Sequence, residues 1–253
     1  MRSPNSNILL GIDIGGTGIK GAPVNVKTGE FTQERLRIKT PQPAKPEAIA
    51  EVVEQIANHF EYSGPAGIAF PSIVKDGVIF SATNVDESWI NLDAAKLFER
   101  HVGGPVTLIN DADAAGIAEM RFGAGVGRKG VVILLTFGTG IGSAIFCDGV
   151  LLTNTEFGQL KIRGKDIEFR ASERIREKKA ISFKKWADII GEFLRELENL
   201  FSPELFLIGG GISKKADKFL PYLKAQSQVP IEACKMQNDA GIIGAATLAK
   251  IRS

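Results

Sequence analysis

Two short segments of this 253-residue chain are near copies of each other, and each contains a Gly-Thr-Gly turn. Residues 16–22 read GTGIKGA and residues 138–144 read GTGIGSA, which gives five identities in seven positions. Each copy follows an apolar run, residues 8–14 or 131–136, so each predicts a strand, a glycine turn and a returning strand. The chain is therefore predicted to be internally duplicated, with one lobe built on each copy.

The rest of each half has the pattern of an α/β protein. Ile49, Val53 and Ile56 recur at helical spacing behind Pro46, which predicts an amphipathic helix. A second, longer helix is predicted from Trp186, Ile189, Ile190, Phe193, Leu197 and Leu200. Asp-Gly pairs at residues 76–77 and 148–149 predict hairpin turns. Helices that alternate with strands and hairpins indicate mixed sheets covered by helices.

The charge and cysteine content exclude several classes of protein. Lys and Arg number 31 against 29 Asp and Glu, and a net charge of +2 is too balanced for wrapping nucleic acid. Two distant cysteines form neither a disulfide framework nor a Cys-rich zinc site, which favours a reducing compartment. With no signal-peptide pattern and no apolar run of ~20 residues, we expect a cytoplasmic protein without a membrane or nucleic-acid partner.

Either glycine turn alone is explained by the backbone geometry of a hairpin. Two copies in equivalent places, each with a Thr hydroxyl between glycines, indicate loops that face each other across a cleft and bind a phosphate chain. Neither copy is followed by Gly-Lys-Ser/Thr, and neither opens directly into a helix. The P-loop and dinucleotide-binding classes are therefore disfavoured.

Two carboxylates accompany these turns. Asp13 lies just before Gly15, where it either bonds the local backbone or holds a divalent cation, Mg²⁺, against phosphates, directly or through water. Asp111 follows a predicted strand and starts a helix, so it is either a helix cap or a general base that accepts a proton from a substrate hydroxyl. We favour the metal role for Asp13 and the base role for Asp111.

Spaced motifs over residues 11–246 resemble the ROK family of sugar kinases, and within it the polyphosphate glucokinase branch. The matching strings begin at Gly11 (GIDIGGTGIKG), Ala82 (ATNVDESW), Leu108 (LINDADAAGIAEMRFGAG), Leu134 (LLTFGTGIGSAIF), Asn154 (NTEFG), Phe201 (FSPELFLIGGGISKKADKFLP) and Asn238 (NDAGIIGAA). The resemblance implies a two-lobed, actin-like and ribonuclease H-like ATPase fold of class α/β, with duplicated mixed-sheet lobes. We expect a small lobe over residues 1–111, a large lobe over 112–239, a helix of about 240–253 that packs back on the first, and a homodimer.

The resemblance also implies roles for individual residues. Phosphate binding is implied for Gly15, Gly16, Thr17, Gly18 and Lys20, for Thr136, Gly138, Thr139 and Gly140, and for the third glycine run Gly209, Gly210 and Gly211. Sugar binding is implied for Asn84, Asn110, Asp111, Glu156, Gln159 and Glu168, with Asp111 as the catalytic base. Charged acceptors and amides suit a sugar because they leave no hydroxyl unpaired.

The chain departs from the family pattern after Glu156. Gln159 replaces the family His and Lys161 replaces a usual Glu. Without that His and without nearby cysteines, no structural zinc is expected. Gln159 still donates and accepts hydrogen bonds, so the acceptor is either glucose with altered affinity or another hexose or polyol, such as mannose or an amino sugar.

The phosphate donor is predicted from the distribution of cations. Residues 161–185 hold ten Lys or Arg against four Asp or Glu, a run that we interpret for the most part as a solvated helix face. Cations beside the glycine motifs are better donor ligands, because a long polyanion extends beyond one triphosphate. These are Arg121, Arg128, Lys129, Lys214, Lys215 and Lys218. Polyphosphate is the leading donor, with ATP also used.

The sequence thus predicts an Mg²⁺-dependent kinase that transfers a phosphoryl group from polyphosphate or ATP to the 6-hydroxyl of glucose. An alternative of another class is a catalytically inactive sugar sensor, related to the repressors of the family. No DNA-binding extension precedes Ile8, which counts against a repressor. Survival of both Asp13 and Asp111 favours the kinase.

Overall fold

The structure is a computed structural model that describes residues 7–82 and 85–252. The chain separates into two compact units. The first contains Met1–Ala118 together with Asp239–Ser253, and the second contains Glu119–Asn238. The chain therefore leaves the first unit, forms the second, and returns.

Fifteen strands lie in the described residues: β1 (Ile8–Ile14), β2 (Ile19–Asn25), β3 (Glu30–Phe31), β4 (Leu36–Ile38), β5 (Ala66–Phe70), β6 (Val74–Lys75), β7 (Val78–Ile79), β8 (Val106–Asn110), β9 (Val131–Phe137), β10 (Ile141–Cys147), β11 (Val150–Leu152), β12 (Lys161–Ile162), β13 (Lys165–Asp166), β14 (Leu205–Gly209) and β15 (Ile231–Ala233). The α-helices of the same residues are α1 (Pro46–His59), α2 (Ala94–Val102), α3 (Asp111–Phe122), α4 (Glu168–Ala171), α5 (Glu173–Lys178), α6 (Phe183–Phe201), α7 (Ala216–Lys224) and α8 (Ala240–Arg252).

The main sheets of the two units have the same topology. The first has the order β3-β2-β1-β5-β8, with β4 also paired to β2, and the second has the order β11-β10-β9-β14-β15. In the first sheet, β1 pairs antiparallel with β2 and parallel with β5. In the second, β9 pairs antiparallel with β10 and parallel with β14. The predicted duplication and the mixed sheets are confirmed.

Helices cover these sheets with the apolar faces that the sequence predicts. Helix α1 begins with Pro46 and buries Ile49, Val53 and Ile56 in the core of the first unit. Helix α6 buries Trp186, Phe193 and Leu197 in the core of the second. Burial of each such side chain contributes roughly 1.5–3 kcal/mol. Both helices are confirmed, and Leu200, in the last turn of α6, is 63% exposed.

The hairpins form at the predicted Asp-Gly pairs. Both residues of each pair have positive φ, 49° and 81° at residues 76–77 and 51° and 81° at residues 148–149. Positive φ at both central residues is the geometry of a type I′ turn, which matches the twist of the flanking strands. The second pair connects β10 to β11.

The charged segment 161–185 differs from its prediction. It forms the two short strands β12 and β13, the short helices α4 and α5, and the beginning of α6, so it is not one solvated helix face. Ile167 and Ala171 are buried in the core of the second unit and break up the charge run. Most of its basic residues are nevertheless exposed.

Glycines allow the C-terminal helix to lie close to the first sheet. Helix α8 contacts β1, β5 and β8. A Cβ added at Gly11 would overlap the carbonyl of Ile242, and one added at Gly67 would overlap the carbonyl of Ala245. The helix backbone therefore lies directly on the strands.

Candidate active site

The first glycine turn connects β1 to β2. Its backbone closes through a hydrogen bond from Gly15 N to the oxygen of Gly18, 3.2 Å, and the hydroxyl of Thr40 donates to the oxygen of Gly15, 2.6 Å. Gly16 and Thr17 are exposed at the tip. Hydrogen bonds at its base thus fix the backbone of the turn, and its tip is exposed to solvent.

Asp13 and Lys20 stand opposite each other in the β1–β2 register. The Lys20 ammonium donates to Oδ2 of Asp13 at 2.9 Å, and both side chains are largely buried. Gly241, in the first turn of α8, lies against the same carboxylate, since an added Cβ would be 2.9 Å from its Cγ. A carboxylate and an ammonium therefore lie together at the base of the first turn.

Arg37 is a further cation at the first turn. Strand β4 pairs with β2 so that Arg37 is opposite Lys20. Its guanidinium lies over Gly18, where an added Cβ would be 2.7 Å away, and it donates to the oxygen of Thr17 at 3.1 Å. Sequence reasoning missed this residue, because only the pairing of β4 brings it to the turn. The alternation of Arg35, Arg37 and Lys39 was the available signal.

The second glycine turn connects β9 to β10 and closes through Gly138 N and the oxygen of Gly140, 3.0 Å. The start of α5 supports it, because Arg174 N donates to the oxygen of Gly138 at 3.1 Å. Glu168 of α4 borders the turn on another side, with Oε2 2.7 Å from where a Cβ of Gly140 would be. Thr139 is exposed, and Thr136 is partly buried at the end of β9.

The third glycine run begins at Gly209, the last residue of β14, which pairs with Thr136 of β9. Gly210 has φ of 83° and lies against the backbone of Phe137, where an added Cβ would be 2.6 Å from its oxygen. Gly209 lies beside the sulfur of Cys234. Burial, and secondarily the charge of Glu119, raises the pKa of this thiol well above its usual value, so it stays neutral at neutral pH.

Two of the glycines in these turns have open space beside them. At Gly16 and at Gly138, an added Cβ would meet no described atom within 4 Å other than chain neighbours, and neither residue has positive φ. The fold of the described residues therefore does not require glycine at these two positions. The space beside both residues is open.

Asn110 and Asp111 lie where β8 meets α3. Oδ1 of Asn110 accepts hydrogen bonds from Ala112 N at 2.9 Å and Asp113 N at 3.1 Å, and its amide donates to the oxygen of Ser72 at 3.1 Å. Asn110 therefore caps α3, the role that the sequence left open for Asp111. Asp111 is the first helical residue and its side chain is partly exposed.

The neighbourhood of Asn110 includes a buried hydroxyl. Ser72 is 4% exposed, and its Oγ has no hydrogen-bond partner among the described residues. Trp89 is fully buried and donates from Nε1 to the oxygen of Ala44 at 2.8 Å, so it anchors its loop. Asn84, a predicted sugar ligand, lies outside the described residues.

Glu156 and Glu168 are close enough to interact electrostatically in the second unit. Ser143 of β10 positions the segment of Glu156, since its hydroxyl donates to Thr155 O at 2.7 Å and accepts from Phe157 N at 3.0 Å. Burial raises the pKa of the Glu156 carboxyl, and the negative charge of Glu168 raises it further. The amide of Gln159 lies 3.5 Å from Oε2 of Glu156 and acts in the opposite direction. The structure thus brings these three predicted sugar ligands together.

The described residues hold no group of three or more His, Cys, Asp or Glu side chains suited to a metal ion. A single carboxylate such as Asp13 is sufficient for Mg²⁺ when the substrate phosphates supply further ligands. Across the same residues, no helix has the length and apolar character needed to cross a membrane.

Comparisons with protein families, with curated proteins and with solved structures all find ROK proteins or sugar kinases. The model of the ROK family matches residues 9–160. A polyphosphate glucokinase of Mycobacterium tuberculosis is 47% identical over 238 residues, 94% of this chain and 89% of the relative. The crystal structure of an inorganic polyphosphate/ATP-glucomannokinase from Arthrobacter sp. strain KM superposes with a TM-score of 0.92 at 46% identity, covering 97% and 99% of the two chains. A ROK family glucokinase from Streptomyces griseus shares the fold, with a TM-score of 0.83 at 24% identity over 96% of this chain and 99% of the relative.

The duplicated mixed sheets and the matched structures define the actin-like ATPase fold, and the polyphosphate glucokinase relatives identify a kinase of that fold. Within that class, the chain belongs to the ROK family.

Proposed function

We propose that this kinase transfers the terminal phosphoryl group of inorganic polyphosphate, and of ATP, to the 6-hydroxyl of glucose. The observation that carries the proposal is the open space at Gly16 and Gly138, which leaves room for phosphate against the backbone of both turns. The 47% identity to polyphosphate glucokinases over most of the chain supports the choice of donor and acceptor.

In the proposed reaction, Asp111 accepts the proton of the sugar 6-hydroxyl as that oxygen attacks phosphorus. A new oxygen–phosphorus bond forms, the bridging bond of the donor breaks, and the donor leaves one phosphate shorter. Asn110 supplies the side-chain oxygen that caps α3, and Asp111 is the first residue of that helix. General-base assistance of this kind contributes typically ~10²- to 10⁴-fold.

Glu156 and Glu168 are the proposed acceptors for sugar hydroxyls, with Gln159 beside them in the second unit. Two neighbouring carboxylates repel each other in the free protein, and hydroxyl donors from a sugar relieve that repulsion. The pair therefore favours a polyhydroxylated ligand.

The proposal includes Mg²⁺ at Asp13. A metal ion bound there would neutralise negative charge on the donor phosphates. Lys20, paired with Asp13, and Arg37 at the turn provide fixed positive charge for the same phosphates. Cytoplasmic location and a homodimer stay predictions, which fractionation and light scattering would test.

The proposed function is tested by a matrix of donors and acceptors. Polyphosphate and ATP are each combined with glucose, mannose, glucosamine and a cyclic polyol, and phosphorylated products are detected by mass spectrometry. We expect glucose 6-phosphate with both donors. No product in any combination, from folded protein supplied with Mg²⁺, would contradict the kinase proposal and favour a sugar sensor.

A second acceptor is proposed because of Gln159 and Lys161, which depart from the family pattern. The Arthrobacter relative is named as a glucomannokinase, and mannose is therefore the first alternative to glucose. In the same matrix, a higher kcat/KM for mannose than for glucose would assign mannose as the preferred acceptor.

Replacing Glu156 with Gln is expected to raise thermal stability while weakening sugar binding. Because the folded-state pKa is raised, ionised Glu156 opposes folding at neutral pH, and this penalty is relieved as pH falls through the raised pKa. Gln removes the charge, so Tm should rise at pH 7 and the difference should vanish in acid. A lost charge-assisted hydrogen bond should raise the sugar KM about 10- to 100-fold.

The matched control is Glu196→Gln, a change of an exposed glutamate on α6. Scanning calorimetry from pH 4 to 8 and steady-state kinetics give both readouts. A Glu156→Gln protein with lowered Tm and the wild-type sugar KM would show that Glu156 is a structural residue.

A further inference from the structure

An ion-pair cluster lies beside the third glycine run. Lys215 Nζ is 3.3 Å from Oε1 of Glu173 and 3.6 Å from Oε1 of Glu177. Glu173 is the more buried partner, with its side chain 16% exposed against 42% for Lys215. One ammonium is therefore shared between two carboxylates, and Arg176 adds a second cation at Glu177.

Glu173 borders the donor-side glycine elements of the second unit. Its Oε2 lies 3.7 Å from where a Cβ of Gly211 would be. The next residue, Arg174, donates its backbone N–H to the oxygen of Gly138 in the second turn. The start of α5 thus contacts one glycine element through its backbone and another through the Glu173 carboxylate.

The neighbouring Arg176 holds α5 in place. Its guanidinium lies over the ring of Phe183, 4.4 Å from the centroid, and donates to Glu177 at 3.2 Å. Its side chain is only 12% exposed. A largely buried, stacked arginine restricts the movement of this segment, so Glu173 is presented in a fixed position.

We propose that Glu173 and Lys215 form a donor-selecting pair that distinguishes a nucleoside triphosphate from inorganic polyphosphate. The inference rests on the proposed function and deepens it. A polyphosphate chain offers only anionic oxygens and phosphoryl groups, so Glu173 repels it while Lys215 attracts it. A nucleotide also carries ribose hydroxyls, which donate to Glu173. Glu173 therefore favours the nucleotide, and Lys215 favours the polyanion.

The pair predicts opposite effects on the two donors. Glu173→Gln should raise the KM for ATP and lower the KM for polyphosphate, changing the ratio of the two kcat/KM values about tenfold or more toward polyphosphate. Lys215→Gln should raise the KM for polyphosphate more than that for ATP. Glu173→Gln should also lose any preference of the wild type for ATP over 2′-deoxy-ATP and 3′-deoxy-ATP.

The controls remove equivalent charges from the first unit. Lys96→Gln breaks the exposed pair with Asp93, and Glu54→Gln breaks the contact with His101. The kinetics are measured with polyphosphate, ATP and the two deoxy analogues at saturating glucose. Calorimetric binding of polyphosphate and of a non-hydrolysable ATP analogue adds a readout that does not depend on turnover. Circular dichroism confirms folding of each variant.

Opposite shifts for the two donors in Glu173→Gln, with neither control changing the ratio, support the pair. An unchanged donor ratio in folded Glu173→Gln, or equal loss with both donors, overturns it while leaving the proposed function intact. If Glu173→Gln does not fold, Lys215→Arg and Lys215→Gln decide, because only the second should lose polyphosphate binding. Absence of transfer from either donor by the wild type would instead contradict the proposed function.

Discussion

Asp111→Asn is expected to lower kcat by about 10²- to 10⁴-fold with little change in sugar affinity. Asparagine has the same shape and still accepts the hydrogen bond that Ala112 N makes to Oδ1 at 2.8 Å. It cannot accept the proton of an attacking hydroxyl at neutral pH. The cap of α3 comes from Asn110, so the substitution should leave stability near that of the wild type. Single-turnover kinetics with polyphosphate and ATP, together with calorimetric glucose binding, measure the two effects separately.

The control is Asp188→Asn, which changes an exposed aspartate of α6 that bonds Gln226. Wild-type kcat in Asp111→Asn, with glucose still bound, would exclude Asp111 as the base. Loss of stability equal to the loss of activity would instead indicate a structural carboxylate. A fall in kcat that occurs with both donors is expected, since the base acts on the acceptor and not on the donor.

Local patterns of the sequence predicted the backbone around the turns because both periodicity and turn chemistry act over short distances. The glycine turns, the Asp-Gly hairpins and the buried face of α1 depend on residues at most a few positions apart. The duplication predicted a strand, a glycine turn and a returning strand in each half, and both sheets contain that unit. Short-range sequence patterns were therefore sufficient to predict these parts of the fold.

Residues that reach the site through tertiary contacts were not predictable in the same way. Arg37 arrives through the pairing of β4 with β2, and Glu173 through the packing of α5 beside Gly211. Neither position is distinguished by its neighbours in sequence. The role of Asn110 was also hidden, because the choice between Asn110 and Asp111 as the cap depends on backbone directions at the first turn of α3.

Gly67→Ala is expected to destabilise the first unit by about 3 kcal/mol, lowering Tm by roughly 10 °C. Its Cβ would overlap the backbone carbonyl of Ala245 and lie 2.8 Å from Ala246 N. Backbone atoms of a helix cannot rotate away as a flexible side chain does, so α8 must shift from β5. Because α8 also contacts β1 and β8, the shift disturbs the whole face of the sheet. Chemical denaturation measures the loss in free energy of unfolding.

Gly16→Ala is the matched control, since the same methyl group at Gly16 meets no described atom within 4 Å beyond its chain neighbours. Its unfolding free energy should stay close to that of the wild type, because nothing in the described fold is displaced. Its kcat/KM for both donors should nevertheless fall about 10- to 100-fold, because the methyl group keeps phosphate from the backbone N–H groups. The opposite pattern, a destabilised Gly16→Ala protein with unchanged donor kinetics, would assign the first turn to the fold and remove the main support for phosphate binding there.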